Sequence, residues 1–134
     1  ERRLAEVSER FSLHEFLDQV AEGYSHGMRQ RVVLAAAVLH APRLLIVDEP
    51  LVGLDPRHIR VVLDLLREVA RGGGAVLMST HTMATVEDVA NSVTVMDHGR
   101  MLASGTVAEV AGDRGLESRF FELTEGKRSA AGDR

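Results

Sequence analysis

Cysteine is absent from the 134 residues, lysine occurs once, and no apolar run is longer than the eight residues at 32–39. Without cysteine there are no disulfides and no thiolate metal ligands, and the chain is compatible with a reducing cytoplasm. A helix needs ~20 apolar residues to cross a bilayer, so any membrane role has to come through a partner chain. Lys127, in EGKRSA, follows neither a strand nor a glycine-spaced loop. That excludes a glycine-rich phosphate loop with its lysine inside these residues. Sixteen Lys and Arg against twenty Asp and Glu leave a net charge of −4, without a basic stripe. Nucleic acid is therefore not an expected partner.

What is present suits one globular unit of ordinary size, 45% hydrophobic and 27% charged. The chain starts at Glu1 with no Met and no signal pattern, so it reads as a piece of a longer protein. Residues 1–10 read as the end of a helix, and FSLHEFLDQ as a short amphipathic piece. Ser25 is a good N-cap for a helix reaching His40, whose apolar second half is expected to be buried. Pro42 breaks it, and LLIVD then reads as a strand covered on both faces. Asp55 and Pro56 open a helix with Ile59, Val62, Leu66 and Val69 on one face, and RGGG closes it. AVLMST is a second buried strand, followed by a helix over MATVEDVA capped by Thr82. SVTVMDHGRMLASG predicts two strands around a tight turn at His98 and Gly99, and FFELTEGKRSAAGDR a short helix decaying into a mobile polar tail. Helices alternating with buried strands give an α/β class with a largely parallel sheet and flanking helices.

In LLIVDEP, Asp48 and Glu49 directly follow four aliphatic residues. Ligands of open α/β sheets bind beyond the carboxyl ends of the strands, so this strand delivers two carboxylates where substrate chemistry occurs. Asp48 suits Mg²⁺, and Glu49, pointing differently, suits a water to be oriented or deprotonated. An acidic loop after a strand is also an ordinary feature, so the stretch decides nothing alone.

Its neighbours decide. YSHGM at 24–28, LLIVDE at 44–49, GLD at 53–55 and STH ending at His81 form an ordered set. The set resembles the second half of the nucleotide-binding domain of ABC transporter ATPases: signature motif, Walker B strand, D-loop and switch histidine in that order. The resemblance runs from about Phe11 to Thr124, and the Tyr-Ser-x-Gly-Met signature is similar to that of export-type subunits. It implies a partial P-loop NTPase fold. Residues 1–40 would be the end of the helical subdomain with the signature helix, 41–124 the core with the Walker B strand, and 125–134 a mobile tail.

The resemblance also implies roles. A helix N-terminus presents unpaired N–H groups and partial positive charge, so the helix at Ser25 is suited to phosphate, with Gly27 allowing close backbone approach. Tyr24, Ser25, Gly27 and Met28 would meet ATP held by an opposite subunit, although His26 and Met28 depart from the commonest signature, Gly and Gln. Asp55 would bridge two active sites in a head-to-tail dimer; an Asp before Pro is also a plain helix cap, and the two roles are compatible. His81 would reach the γ-phosphate or the attacking water. ATP, Mg²⁺, a second nucleotide-binding subunit and a membrane permease are the implied ligands and partners, with a cytoplasmic location on the inner face of the membrane. No P-loop, no glutamine in the expected setting after an earlier strand and no adenine-stacking aromatic are present, so the chain is expected to be the carboxyl half of such a domain, inactive alone. Two other readings stay open: the lobe of a non-transporter ABC-type ATPase of DNA repair or chromosome maintenance, and a non-enzymatic remnant.

Overall fold

The structure, a computed structural model, describes the backbone of residues 1–131 and the side chains of residues 1–124. It divides after Ser79 into two units, Glu1–Ser79 and Thr80–Arg134. A single unit was expected from the length. The division follows the cores, since one apolar cluster draws its buried members from Val7 to Leu66 and the other from Val86 to Leu116.

The first unit holds α1 (Arg2–Arg10), two 3₁₀ turns (Leu13–Glu15 and Ala21–Gly23), α2 (His26–Leu39), β1 (Leu44–Asp48), α3 (Pro56–Arg71) and β2 (Ala75–Ser79). α2 starts where Ser25 caps it and ends before Pro42, with Ala41 in a left-handed turn at φ 51°. Its buried face is Arg31, Leu34, Ala35 and Val38, the i, i+3, i+4, i+7 stripe of an amphipathic helix. Val33 stays 61% exposed, so the apolar second half is covered on one side only. The reason is that α1 and the Leu13–Glu15 turn pack against that side.

β1 and β2 pair in parallel, from Leu44 opposite Ala75 to Asp48 opposite Ser79. Side chains alternate across a strand, and here one face, Leu45, Val47, Val76 and Met78, belongs to the core with Val62, Leu65 and Leu66 of α3. The opposite face is open: Leu44, Ile46 and Leu77 are 55%, 65% and 62% exposed. The expectation of strands covered on both faces is thus corrected, because within this unit helices pack on one side of the pair. α2 contributes to that same core.

The second unit holds α4 (Met83–Val89), the hairpin β3 (Ser92–Asp97) and β4 (Arg100–Thr106), α5 (Val107–Ala111), a 3₁₀ turn (Gly112–Arg114) and α6 (Leu116–Ala131). The hairpin is antiparallel, so among the described residues the parallel arrangement is confined to β1 and β2. His98 and Gly99 have φ of 45° and 73°, the two left-handed residues of a turn matched to strand twist. Thr82 precedes α4 as expected but its hydroxyl makes no cap; the Thr82 N–H donates to Thr80 Oγ1 at 3.1 Å instead. α5, absent from the sequence reading, is opened by a reciprocal cap in which Thr106 Oγ1 accepts from the Glu109 N–H and Glu109 Oε2 accepts from the Thr106 N–H. The expected mobile tail at 125–134 lies outside the residues described with their side chains. Among the described residues no helix is long and apolar enough to cross a membrane.

Candidate functional site

The carboxyl end of β1 is tied to that of β2 by a single side chain. Ser79 Oγ donates to Asp48 Oδ1 and also accepts from the Glu49 N–H at 3.2 Å, while the Ser79 carbonyl accepts from the same N–H at 3.1 Å. Glu49 itself has φ 44°, a left-handed backbone that costs an ordinary residue ~1–2 kcal/mol. Two acceptors on its amide hold it there. Sequence reading passed over Ser79. The signal was the strand register, which sets it opposite Asp48.

An Mg²⁺ site can be tested against these donors. Among the described residues no three His, Asp or Glu side chains gather as a metal cage. One exposed carboxylate at a strand end nonetheless fits Mg²⁺, which keeps several waters and is often held by one or two carboxylates plus substrate phosphates.

The first turns of α2 touch the 50–55 loop at His26, Gly27 and Gln30. Ser25 caps the helix: its Oγ accepts from the Met28 N–H at 3.2 Å, and its own amide points at Met28 Sδ at 3.4 Å. That use of the oxygen leaves the hydroxyl proton as a donor beside the remaining first-turn amides. Gly27 lies so close to the 50–55 loop that an added Cβ would meet the Gly53 carbonyl oxygen at 2.7 Å. Gly27 therefore permits a close backbone approach, and the partner seen here is Gly53 of the same chain. Gly53, at φ 77°, sits under the His26 ring, 2.3 Å from where its Cβ would stand. One turn on, Gln30 Nε2 donates to the Pro50 carbonyl at 3.1 Å, linking the helix to the residue after Glu49.

Tyr24 and Met28 face inward. The Tyr24 ring is buried edge-on against Phe16, centroids 4.9 Å apart, and half-buried Met28 packs on the same core. Asp55 caps α3 with Oδ1, which accepts from the Arg57 and His58 N–H groups at 2.9 and 3.1 Å. Its Oδ2 lies 2.5 Å from His58 Nδ1. The His58 side chain, followed by its backbone N–H, holds the Asp55 carboxyl down at about 2. His81 belongs to the second unit, exposed on the bend before α4. Ser25, Gly27, Asp48, Glu49 and Asp55 all lie in the first unit, and His81 lies in the second. Ser79 and Gln30 join them through contacts that depend on tertiary packing, and His58 through its local contact with Asp55.

The family described as ABC transporter matches residues 1–52, which include the Ser25 helix and the Asp48–Glu49 pair. The ABC-type transporter ATP-binding protein EcsA of Bacillus subtilis is 36% identical over 130 residues, 93% of this chain and 53% of that protein. The daunorubicin/doxorubicin resistance ATP-binding protein DrrA of Streptomyces peucetius is 35% identical over 132 residues, 98% of this chain and 40% of that protein. A solved structure of an ATP-binding subunit of an ABC transporter superposes with a TM-score of 0.85 at 34% identity, over 92% of this chain and 53% of that one. The chain spans about half the length, or less, of these relatives. Short parallel strands with flanking helices, the paired carboxylates at a strand end and these likenesses agree: residues 1–52 match the ABC transporter family, and over more than nine-tenths of its length the chain is similar to ATP-binding proteins of ABC transporters.

Proposed function

We propose that the intact protein is the ATP-hydrolysing subunit of an export-type ABC transporter, cytoplasmic and peripheral to the inner face of the membrane. It works as a head-to-tail dimer beneath a separate permease. The observation that carries this reading is the Ser79 clamp, which fixes Asp48 and Glu49 side by side at the carboxyl end of β1. The drug resistance for which DrrA is named supports outward transport.

In this reading Asp48 holds Mg²⁺, which when bound neutralises charge on the phosphate oxygens. Glu49 orients and deprotonates the attacking water, and by resemblance His81 takes the role of the switch histidine. The Ser25 hydroxyl and the first-turn amides of α2, Gly27 among them, receive the phosphate of a nucleotide on the opposite subunit. Tyr24 and Met28 support that helix from below, and Asp55 connects the two sites. The 134 residues alone bind Mg-ATP negligibly and turn none over, because they carry no phosphate-loop lysine; turnover by the purified 134-residue chain would refute this.

Glu49→Gln in the intact protein tests the central assignment. It keeps shape and hydrogen bonding but removes the base, so ATP binding persists while turnover falls by at least ~10²-fold. Unchanged hydrolysis would remove Glu49 from the chemistry.

A further inference from the structure

Neither Arg31 nor His58 has a part in the reading above, yet together they join α2 to Asp55. The guanidinium of Arg31 is buried. Its Nη1 lies 3.2 Å from the Phe11 carbonyl oxygen, 2.9 Å from Glu15 Oε2 and 2.9 Å from His58 Nε2, and the group stands 4.6 Å over the Phe16 ring. Arginine carries donors only, so the His58 nitrogen that faces it must accept and holds no hydrogen. The imidazole hydrogen is therefore on Nδ1, directed at Asp55 Oδ2 at 2.5 Å. A buried cation from one helix thereby selects the tautomer of a histidine on another.

This arrangement exceeds what a helix cap needs. Capping α3 uses Asp55 Oδ1 alone, through the two backbone N–H groups. The second oxygen is held by an imidazole only 11% exposed, which is braced in turn by Arg31 at a sequence separation of 27. With both oxygens engaged, the carboxylate cannot rotate about its Cβ–Cγ bond without breaking a charge-assisted bond. Arg31 lies on the helix whose Gly27 packs against Gly53, so both ends of the 53–55 loop are referred to α2.

We propose that His58 is a positioning residue for Asp55: Arg31 fixes its Nδ1–H tautomer, and that tautomer sets the carboxylate plane of Asp55 relative to the Ser25 end of α2. The proposal rests on the reading of Asp55 as the connection between two nucleotide sites. A shift of the signature helix then reaches Asp55 through side chains of the same unit, and displacement of a positioning group is costly to turnover rather than to binding.

Two variants of the intact protein separate positioning from plain packing. His58→Asn places an amide near Nδ1 and keeps a donor for Asp55; His58→Gln keeps an acceptor near Nε2 for Arg31 and offers nothing to Asp55. At matched thermal stability, His58→Gln lowers kcat for ATP roughly tenfold with KM within about twofold, and His58→Asn retains most of the rate. Equal rates in the two variants, both intact or both reduced, would overturn the proposal. Nitrogen-15 NMR of the histidine rings reads the tautomer directly, without any ATPase activity. A protonated Nδ1 and bare Nε2 at His58 are expected, and hydrogen on Nε2 would overturn the relay. Glu49→Gln is measured alongside. If it still turns over, the ATPase reading fails together with the role of Asp55, while the ring spectrum still decides the relay; if it is inactive and the two His58 variants behave alike, the relay alone fails.

Discussion

Asp55 carries charge that the fold depends on in a predictable pH range. Its carboxyl is held at about 2, mainly by the His58 side chain and then by the His58 and Arg57 amides, against a usual value near 4 in the unfolded chain. A depressed carboxyl stabilises the folded state above the unfolded value, and the contribution is lost as pH falls through the folded one. Asp55→Asn should therefore be less stable than the wild type at neutral pH, and the gap should close as pH drops from about 4 towards about 2. Urea titrations across that range read this directly, and a gap that stays constant down to the acid limit would remove the charge from the explanation. Arg31 makes a separate demand. Its guanidinium lowers the pKa of Glu15, chiefly through their hydrogen bond, while Glu15 remains half exposed, so the pair itself adds little. Removing the cation leaves the Phe11 carbonyl and His58 Nε2 without their donor, and Arg31→Met should cost on the order of 2–3 kcal/mol, measured by the same titrations at neutral pH.

The N-terminal turn of α2 shows which features local sequence can announce. Ser25, the Asp55–Pro56 start of α3, the RGGG stop and the His98–Gly99 turn were readable because each is a property of a few adjacent residues. The Thr106-to-Glu109 box carried the same kind of signal for α5, within reach of the same rule. The contacts of Gly27 were not readable, since its neighbour Gly53 lies on another segment. Nor were the Ser79 clamp and the Arg31–His58 contact, for the same reason: their partners stand 27 or more positions away, and only packing brings them together. Gly27 gives a test of such a tertiary demand. In an exposed helix Gly→Ala gains up to ~1 kcal/mol, but here the new Cβ would stand 2.7 Å from a backbone oxygen. Gly27→Ala should thus destabilise by roughly 1–3 kcal/mol, the usual cost of overpacking. Gly23, where a Cβ meets nothing within 4 Å, is the control, and Gly23→Ala should change stability by less than ~0.5 kcal/mol. Equal effects would mean that the loop yields to α2 freely.

Fold class was readable from the alternation of helices and aliphatic strands, whereas the extent of burial was not, because a run such as LLIVD looks the same whether one face or both are covered. The described chain shows one face of β1 and β2 packed and the other open, with Leu44, Ile46 and Leu77 in register neighbours on the open side. Contiguous exposed apolar side chains on paired strands favour association, both through the face and through the unpaired strand edges beside it. The 134-residue chain should therefore show a concentration-dependent rise in mass by light scattering. Replacing Ile46 and Leu77 together with Thr keeps β-propensity and removes most of the apolar surface, so the double variant should scatter as a smaller species at equal concentration. Leu45 and Val47 point to the packed face, which makes the substitutions nearly neutral for the core. A clean monomer for the unaltered chain at high concentration would show that the open face tolerates water. An unchanged mass in the double variant would move the cause from the sheet face to the strand edges, where charged or proline substitutions on β1 and β2 would be the next discriminating step.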